Sequence, residues 1–238
     1  MKISYDFHIH TDASPCGDDY MTPGNIIHMA KLLNKQIIAV TDHNTCINCE
    51  AVMKMGEKEG ILVIPGMEVE CMEEFHLIVL FPDLQKARKF QKYIEGHMLK
   101  ITNKPHIFGH QHVLNEDGEV IDEIEYLLLT AVQQSVYELY QKVITLGGIM
   151  YPAHIDRNSY SIISNLGMVP EDVPFKLLEV SQEGDIDFYK GLYPNYYILQ
   201  SSDAHYLKDM CHKEQFIELP MSDISSLFNY LMKYFIKI

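Results

Sequence analysis

Residues 2–41, KISYDFHIHTDASPCGDDYMTPGNIIHMAKLLNKQIIAVT, decide how the rest of the chain is read. Residues 2–8 alternate in the manner of a strand, and residues 14–24 are rich in turn formers. Pro23 stands where a helix can begin, and Ile26, Ile27, Met29, Ala30 and Leu33 give that helix one apolar face. Residues 37–41 form a second β-rich run, so the stretch predicts a β-α-β unit of the kind that builds parallel sheets.

The same rhythm continues outward. Residues 45–58 predict a helix, 61–64 a strand broken by Pro65-Gly66, 76–81 another strand, and 83 to about 97 a helix. Residues 101–123 interrupt it with Asn-Lys-Pro, Phe-Gly-His and Asn-Glu-Asp-Gly, which predicts an inserted excursion with a hairpin at Asp117-Gly118. Helical patterning returns between about 122 and 146, strands are expected at 148–152, 177–181 and 196–201, and a last helix at 222–236. About seven principal parallel strands predict an α/β barrel or barrel-like sheet with helices outside. All 238 residues are expected in a single domain, and no internal repeat interrupts them.

Composition is ordinary for a globular protein, with 47% hydrophobic and 22% charged residues. The net charge of -14 argues against many phosphate contacts along a long nucleic acid, which is therefore not expected as a partner. A small phosphorylated substrate remains compatible, because a bound cation can reverse the local field. Five cysteines and a first segment that reads as a strand predict reduced thiols and a cytoplasmic location. No apolar run reaches the roughly 18 residues of a membrane span.

Histidines and acids gather at the strand ends: His8 and His10, Asp42 and His43, Glu68, His154, then Asp203 and His205. His76 differs in opening a strand. In a parallel barrel these ends converge on one face. Residues two apart on an extended chain point the same way, so His8 and His10 can share one ion. Imidazole and carboxylate donors suit zinc, manganese or iron. A single strand-end histidine is more often a satisfied polar residue, but that account must be repeated at every strand here.

As an ordered set, these motifs resemble the polymerase and histidinol phosphatase, or PHP, superfamily. They are Asp-Phe-His-Ile-His-Thr (6–11), Ala-Val-Thr-Asp-His-Asn-Thr (39–45), Pro-Gly-Met-Glu-Val (65–69), Phe-His-Leu (75–77), Pro-Ala-His (152–154) and Ser-Asp-Ala-His (202–205). The resemblance implies a distorted (β/α)7 barrel, similar to a TIM barrel, and phosphoesterase chemistry at two or three divalent ions. It implies ligation by His8, His10, His43, Glu68, His76, His154, Asp203 and His205, with Glu68 bridging and Asp42 orienting a ligand. Many relatives carry an Asp directly after the serine that follows His-x-His, whereas Ser14 is followed here by Pro15-Cys16-Gly17. Counting back from Thr22-Pro23 makes Asp18 the equivalent ligand, with Asp19 next.

Arg157 is the expected phosphate anchor. It is one of only two arginines, with Arg88, and lies three residues beyond His154. A guanidinium fork matches paired phosphate oxygens, and the competing reading is a surface pair with Asp156. Cys46 and Cys49 suggest helix packing more than redox or zinc chemistry. His110 and His112 read as exposed loop residues, and Met53 and Met55 as core.

The expected activity is hydrolysis of a small phosphomonoester, resembling a nucleotide or histidinol phosphate, by metal-activated hydroxide. Three alternatives accompany it: a nuclease or phosphodiesterase, an amidohydrolase, and a non-catalytic metal-binding regulatory domain.

Overall fold

The computed structural model describes residues 1–170, 176–210, 213 and 215–235. Its first unit is β1 (Lys2–Ile9), α1 (Pro23–Leu32) and β2 (Ile37–Val40), with β1 and β2 parallel as expected. Next come α2 (Cys49–Glu59), β3 (Leu62–Glu70), β4 (His76–Leu80) and α3 (Leu84–Glu95), whose first turn is capped by the Asp83 carboxylate. The excursion contributes α4 (Pro105–Phe108), β5 (His112–Leu114) and β6 (Val120–Glu123). The chain then forms α5 (Val136–Thr145), β7 (Ile149–Pro152), α6 (Ile162–Leu166), β8 (Leu177–Ser181), α7 (Ile186–Leu192) and β9 (Tyr197–Ser201). It ends with β10 (Phe216–Glu218) and α8 (Ile224–Phe235); position 236, expected in the last helix, lies outside the described residues.

Six strands form one curled sheet in the order β10-β1-β2-β3-β4-β7, and β8 and β9 form a parallel pair beside it. Backbone hydrogen bonds join the pair to the sheet on both sides: Ile155 N donates to Glu179 O (2.8 Å) on one, and on the other His10 N donates to Ala204 O (3.0 Å) and Ala204 N to His8 O (3.3 Å). The result is a mixed α/β fold with a curled half-barrel sheet. The expected all-parallel strand set does not form, because β4 runs antiparallel to both β3 and β7, and β10 antiparallel to β1.

Pro65-Gly66 does not break β3. It marks the place where the strand changes partners, from β2 up to Pro65 to β4 from Gly66 onward. A Cβ on Gly66 would lie 2.5 Å from Val79 O, so the crossing admits only glycine without displacement. The helix expected from 45 begins at Cys49, since Asn48 is occupied elsewhere: its side chain donates to Thr11 Oγ1 and accepts from Leu114 N. The helix expected from 122 begins only at Val136, behind a Ser135–Glu138 capping box. Between them Gln111 bonds the backbone of Ile124, Tyr126 and Leu128, so a buried amide satisfies groups that a helix would otherwise pair. The hairpin does turn at Asp117-Gly118, with Gly118 at φ 83° and Asn115 Oδ1 accepting from Asp117 N and Glu119 N.

Ile3, Phe7 and Ile9 of β1 are fully buried, as are Ile38 and Val40 of β2 and Ile64 of β3. Tyr151 of β7 and Leu199 of β9 complete this interior. Each such side chain contributes about 1.5–3 kcal/mol on leaving water, which fixes the strand register and hence the direction of the polar residues at the strand ends.

Candidate metal centre

The polar residues meet around one carboxylate. Glu68 Oε1 lies 2.8 Å from His76 Nδ1, 3.0 Å from His154 Nε2 and 3.4 Å from His8 Nε2. Glu68 Oε2 lies 3.1 Å from His43 Nδ1 and 3.3 Å from His10 Nε2. Asp203 Oδ1 closes the other side, 3.1 Å from both His8 Nε2 and His10 Nε2. His205 stacks on His10, with ring centroids 4.1 Å apart. Donor atoms fall into three overlapping groups whose members lie within 4.8 Å of one another: His8, His10, Glu68 and Asp203; His43, Glu68 and His76; and His10, His43 and His205.

The reversed β4 explains why His76 can open a strand and still belong here. Its neighbours β3 and β7 run the other way, so the start of β4 lies beside the ends that carry Glu68 and His154. His154 and Asp203 adopt left-handed backbone, at φ 27° and 53°. Such conformations cost on the order of 1–3 kcal/mol each in non-glycine residues and persist where surroundings enforce them. Ser202 N donating to Asp6 Oδ1, and Ser202 Oγ to His8 O, supply that enforcement beside Asp203.

Asp42 does not enter the three groups. Its carboxylate accepts from Thr11 N, Thr11 Oγ1 and Ser14 Oγ, each at 2.7 Å. Ser14 Oγ also lies 2.9 Å from His10 Nδ1. The single hydroxyl proton goes to Asp42, so Ser14 accepts from His10 Nδ1–H and leaves the Nε2 lone pair facing the cluster. Glu179 does the same for His8, with Oε1 2.8 Å from Nδ1. Sequence reasoning missed Glu179; the available signal is an acid in the middle of the apolar run LLEVS of β8. It also missed Ser14 as the link between Asp42 and His10.

The structure does not bring Asp18 into these groups. Its Oδ1 accepts from Tyr20 N (2.9 Å), and its carboxylate therefore serves a turn. Arg157 does reach the centre: its Nη1 donates to Asp203 Oδ2 and its side chain stays 42% exposed. Asp156, the alternative partner, instead accepts from Ser181 N and Oγ at 2.7 Å each. Cys46 and Cys49 are buried free thiols, with Cys46 Sγ bonded to Gln91 Oε1, and they join no metal-capable group among the described residues.

The electrostatics of the cluster call for cations. Burial works to raise the Glu68 and Asp203 carboxyls, but the surrounding imidazoles hold both well below the usual range. Burial alone would lower His10, yet Asp203 and Glu68 lift it to about 9. Burial takes His205 down to about 4, helped by charge on His10. His8 Nε2 and His10 Nε2 face each other at 3.2 Å. Glu68 Oε2, His154 Nδ1 and Glu179 Oε2 are buried without a hydrogen-bond partner. Two imidazole nitrogens turned on each other, orphaned buried polar atoms and clustered N/O donors, whose protons a cation would displace, fit divalent transition ions.

The sequence pattern of the PHP domain matches residues 6–155. The 5'-3' exoribonuclease Rnm of Salmonella typhimurium is 33% identical over 78 residues, which are 32% of this chain and 26% of that enzyme. The fold resembles the lesion-specific endonuclease Q of Pyrococcus furiosus, with TM-score 0.70 and 18% identity over 98% of this chain and 56% of that one. It also resembles an endonuclease Q complex with a 27-mer duplex substrate carrying an abasic lesion at the active site, at TM-score 0.72 and 17% identity over 98% and 57% of the two chains. A metal-dependent phosphoesterase described as putative, from Bifidobacterium adolescentis, gives TM-score 0.60 and 16% identity over 99% and 98%. This chain thus spans little more than half of endonuclease Q, and its match covers about a quarter of Rnm.

These similarities overturn one expectation. Net charge makes long nucleic acid an unexpected partner beside a small phosphorylated one, yet the chain is similar to an exoribonuclease and shares its fold with an endonuclease solved on a duplex. Net charge averages over a whole surface, whereas phosphate binding responds to the local field of a site. No helix among the described residues is long and apolar enough to cross a membrane.

Proposed function

The chain belongs to the PHP family of metal-dependent hydrolases, and from that membership we propose that it hydrolyses phosphodiester bonds in nucleic acid. The observation that carries the hydrolytic reading is the division of Glu68, one oxygen toward His76 and His154 and the other toward His43 and His10. A carboxylate so placed suits a bridge between two ions. Bound ions there supply Lewis acidity and an ionised water near neutral pH.

The remaining roles fall to this chain's own side chains. Glu179 and Ser14 hold His8 and His10 with their Nε2 atoms inward. Arg157 is anchored through one nitrogen on Asp203, and its other donors stay accessible to non-bridging phosphate oxygens. Tyr160, 52% exposed, stacks on His76 with ring centroids 4.9 Å apart, and Tyr206, 45% exposed, follows His205 directly. Exposed aromatic faces at the edge of a phosphate-cleaving site suit the stacking of unpaired bases. Likeness to Rnm and endonuclease Q supports the same substrate class.

Purified protein loaded with manganese or zinc is the test, incubated with end-labelled single-stranded RNA, single-stranded DNA and an abasic duplex. Metal-dependent cleavage of at least one, abolished in Glu68→Gln, is expected. Intact oligonucleotides throughout, at full metal occupancy, overturn the proposal.

A further inference from the structure

The excursion carries a histidine and acid cluster of its own, apart from the centre around Glu68. His110 Nδ1 lies 2.9 Å from Glu123 Oε1. His112 and Glu123 are directly opposite each other across the β5–β6 ladder. The imidazoles of His110 and His112 stack nearly parallel, with centroids 4.8 Å apart and planes 13° from each other. One donor atom from each of His110, His112 and Glu123 lies within 4.8 Å of the other two.

Two features set this cluster apart from a chance surface pair. His112 and Glu123 are cross-strand partners, and His110, two residues before His112, stacks its ring on that of His112, which gathers three donors at one end of the hairpin. In addition, the buried Asp12 carboxylate lies 2.8 Å from His112 Nδ1, and His112 N donates to Asp12 O at 2.9 Å. A carboxylate on one ring nitrogen fixes the tautomer and presents the other nitrogen as a ligand. Asp19 forms an overlapping donor group with Asp12 and His112, which adds negative charge on the same side.

We propose that His110, His112 and Glu123 bind a divalent transition ion, zinc by their donor set, with Asp12 positioning His112. Tetrahedral zinc needs its donors about 3.3 Å apart, given ligand bonds of about 2.0–2.1 Å. His110 and Glu123 are exposed and can close the remaining distance by side-chain rotation. The ion cross-links the excursion's own segments, and the contacts of His112 with Asp12, two residues after His10, hold that cross-linked hairpin against the rim of the central site. This site is independent of the substrate proposed above.

The test compares wild type with His110→Ala and Glu123→Gln, all as full chains equilibrated at the same free zinc and passed through a desalting column. Mass spectrometry counts zinc per chain, and anomalous diffraction at the zinc edge locates it. Wild type is expected to hold one equivalent more than either variant, with an anomalous peak at the hairpin that His43→Ala leaves in place. Equal zinc in wild type and both hairpin variants, or no hairpin peak in the wild-type crystal, overturns the proposal. Since both substituted residues are solvent-facing, circular dichroism is expected to match wild type.

Discussion

Glu179 Oε1 lies 2.8 Å from His8 Nδ1, although 171 positions separate the two residues. The contact is wholly buried, and it decides which nitrogen of His8 faces Glu68 and Asp203. Glu179→Gln keeps an acceptor but removes the charge. Loss of a carboxylate behind a ligating histidine typically weakens metal affinity about 10- to 100-fold. Competition against a chromogenic chelator measures it, and affinity equal to wild type makes Glu179 a packing residue only.

Arg157→Ala is expected to leave metal content unchanged while lowering kcat/KM on the best oligonucleotide by roughly 30- to 1,000-fold, or about 2–4 kcal/mol. Arg157→Lys recovers part of this, because a point charge cannot reproduce the fork. Arg88→Ala is the control, since Arg88 pairs with Glu50 on an exposed face. Wild-type rates in both alanine variants would remove Arg157 from substrate binding.

Tyr160→Ala removes the ring that covers His76. A stacked base is worth about 1–3 kcal/mol, so KM for a single-stranded oligonucleotide is expected to rise roughly 5- to 150-fold with metal content intact. Tyr160→Phe keeps the ring and is expected to behave like wild type. An unchanged KM in the alanine variant shows that bases do not stack there.

Metal-free protein is expected to lose stability as pH rises from 6.5 to 9. His10 is lifted to about 9 by Asp203 and Glu68 against the opposing effect of burial. A raised histidine stabilises the fold fully below its unfolded value near 6.5, and the benefit disappears as pH passes the folded value. A fall in Tm of at least about 3 °C across that window is expected for a chain of this length. Ions that displace the same proton bind more tightly over the same rise in pH, with buffer-dependent heats of binding reporting its release. A flat Tm for the metal-free protein sinks the prediction.

Much of this is legible in the sequence. The His8-x-His10 pair, the α1 face and the Asp117-Gly118 turn follow from short-range rules of period and turn chemistry, and strands β8 and β9 begin within a residue of expectation. Strand direction was not readable, because an apolar run such as 76–80 looks the same in parallel and antiparallel pairing. Pro65-Gly66 misled for a related reason: breaker residues report a local irregularity, and here it is a change of partner within one strand. Glu179 was hidden because its role depends on a contact with His8 that only the fold creates. Asp18 stands outside the donor groups, because counting residues through a turn does not show that the turn itself uses the carboxylate.

The pairing of His8 with Glu179, and of His10 with Asp203 across 193 positions, also dictates when the centre can form. Contacts so distant in sequence are made late in folding, after the entropy of closing very long loops has been overcome. During synthesis at about 5–20 residues per second, a nascent chain displays His8, His10, His43 and Glu68 well before Glu179 and Asp203 emerge. The full donor set is therefore complete only after the segments carrying Glu179 and Asp203 have folded back onto β1, so an ion held by all of these residues would act as a late lock on that closure.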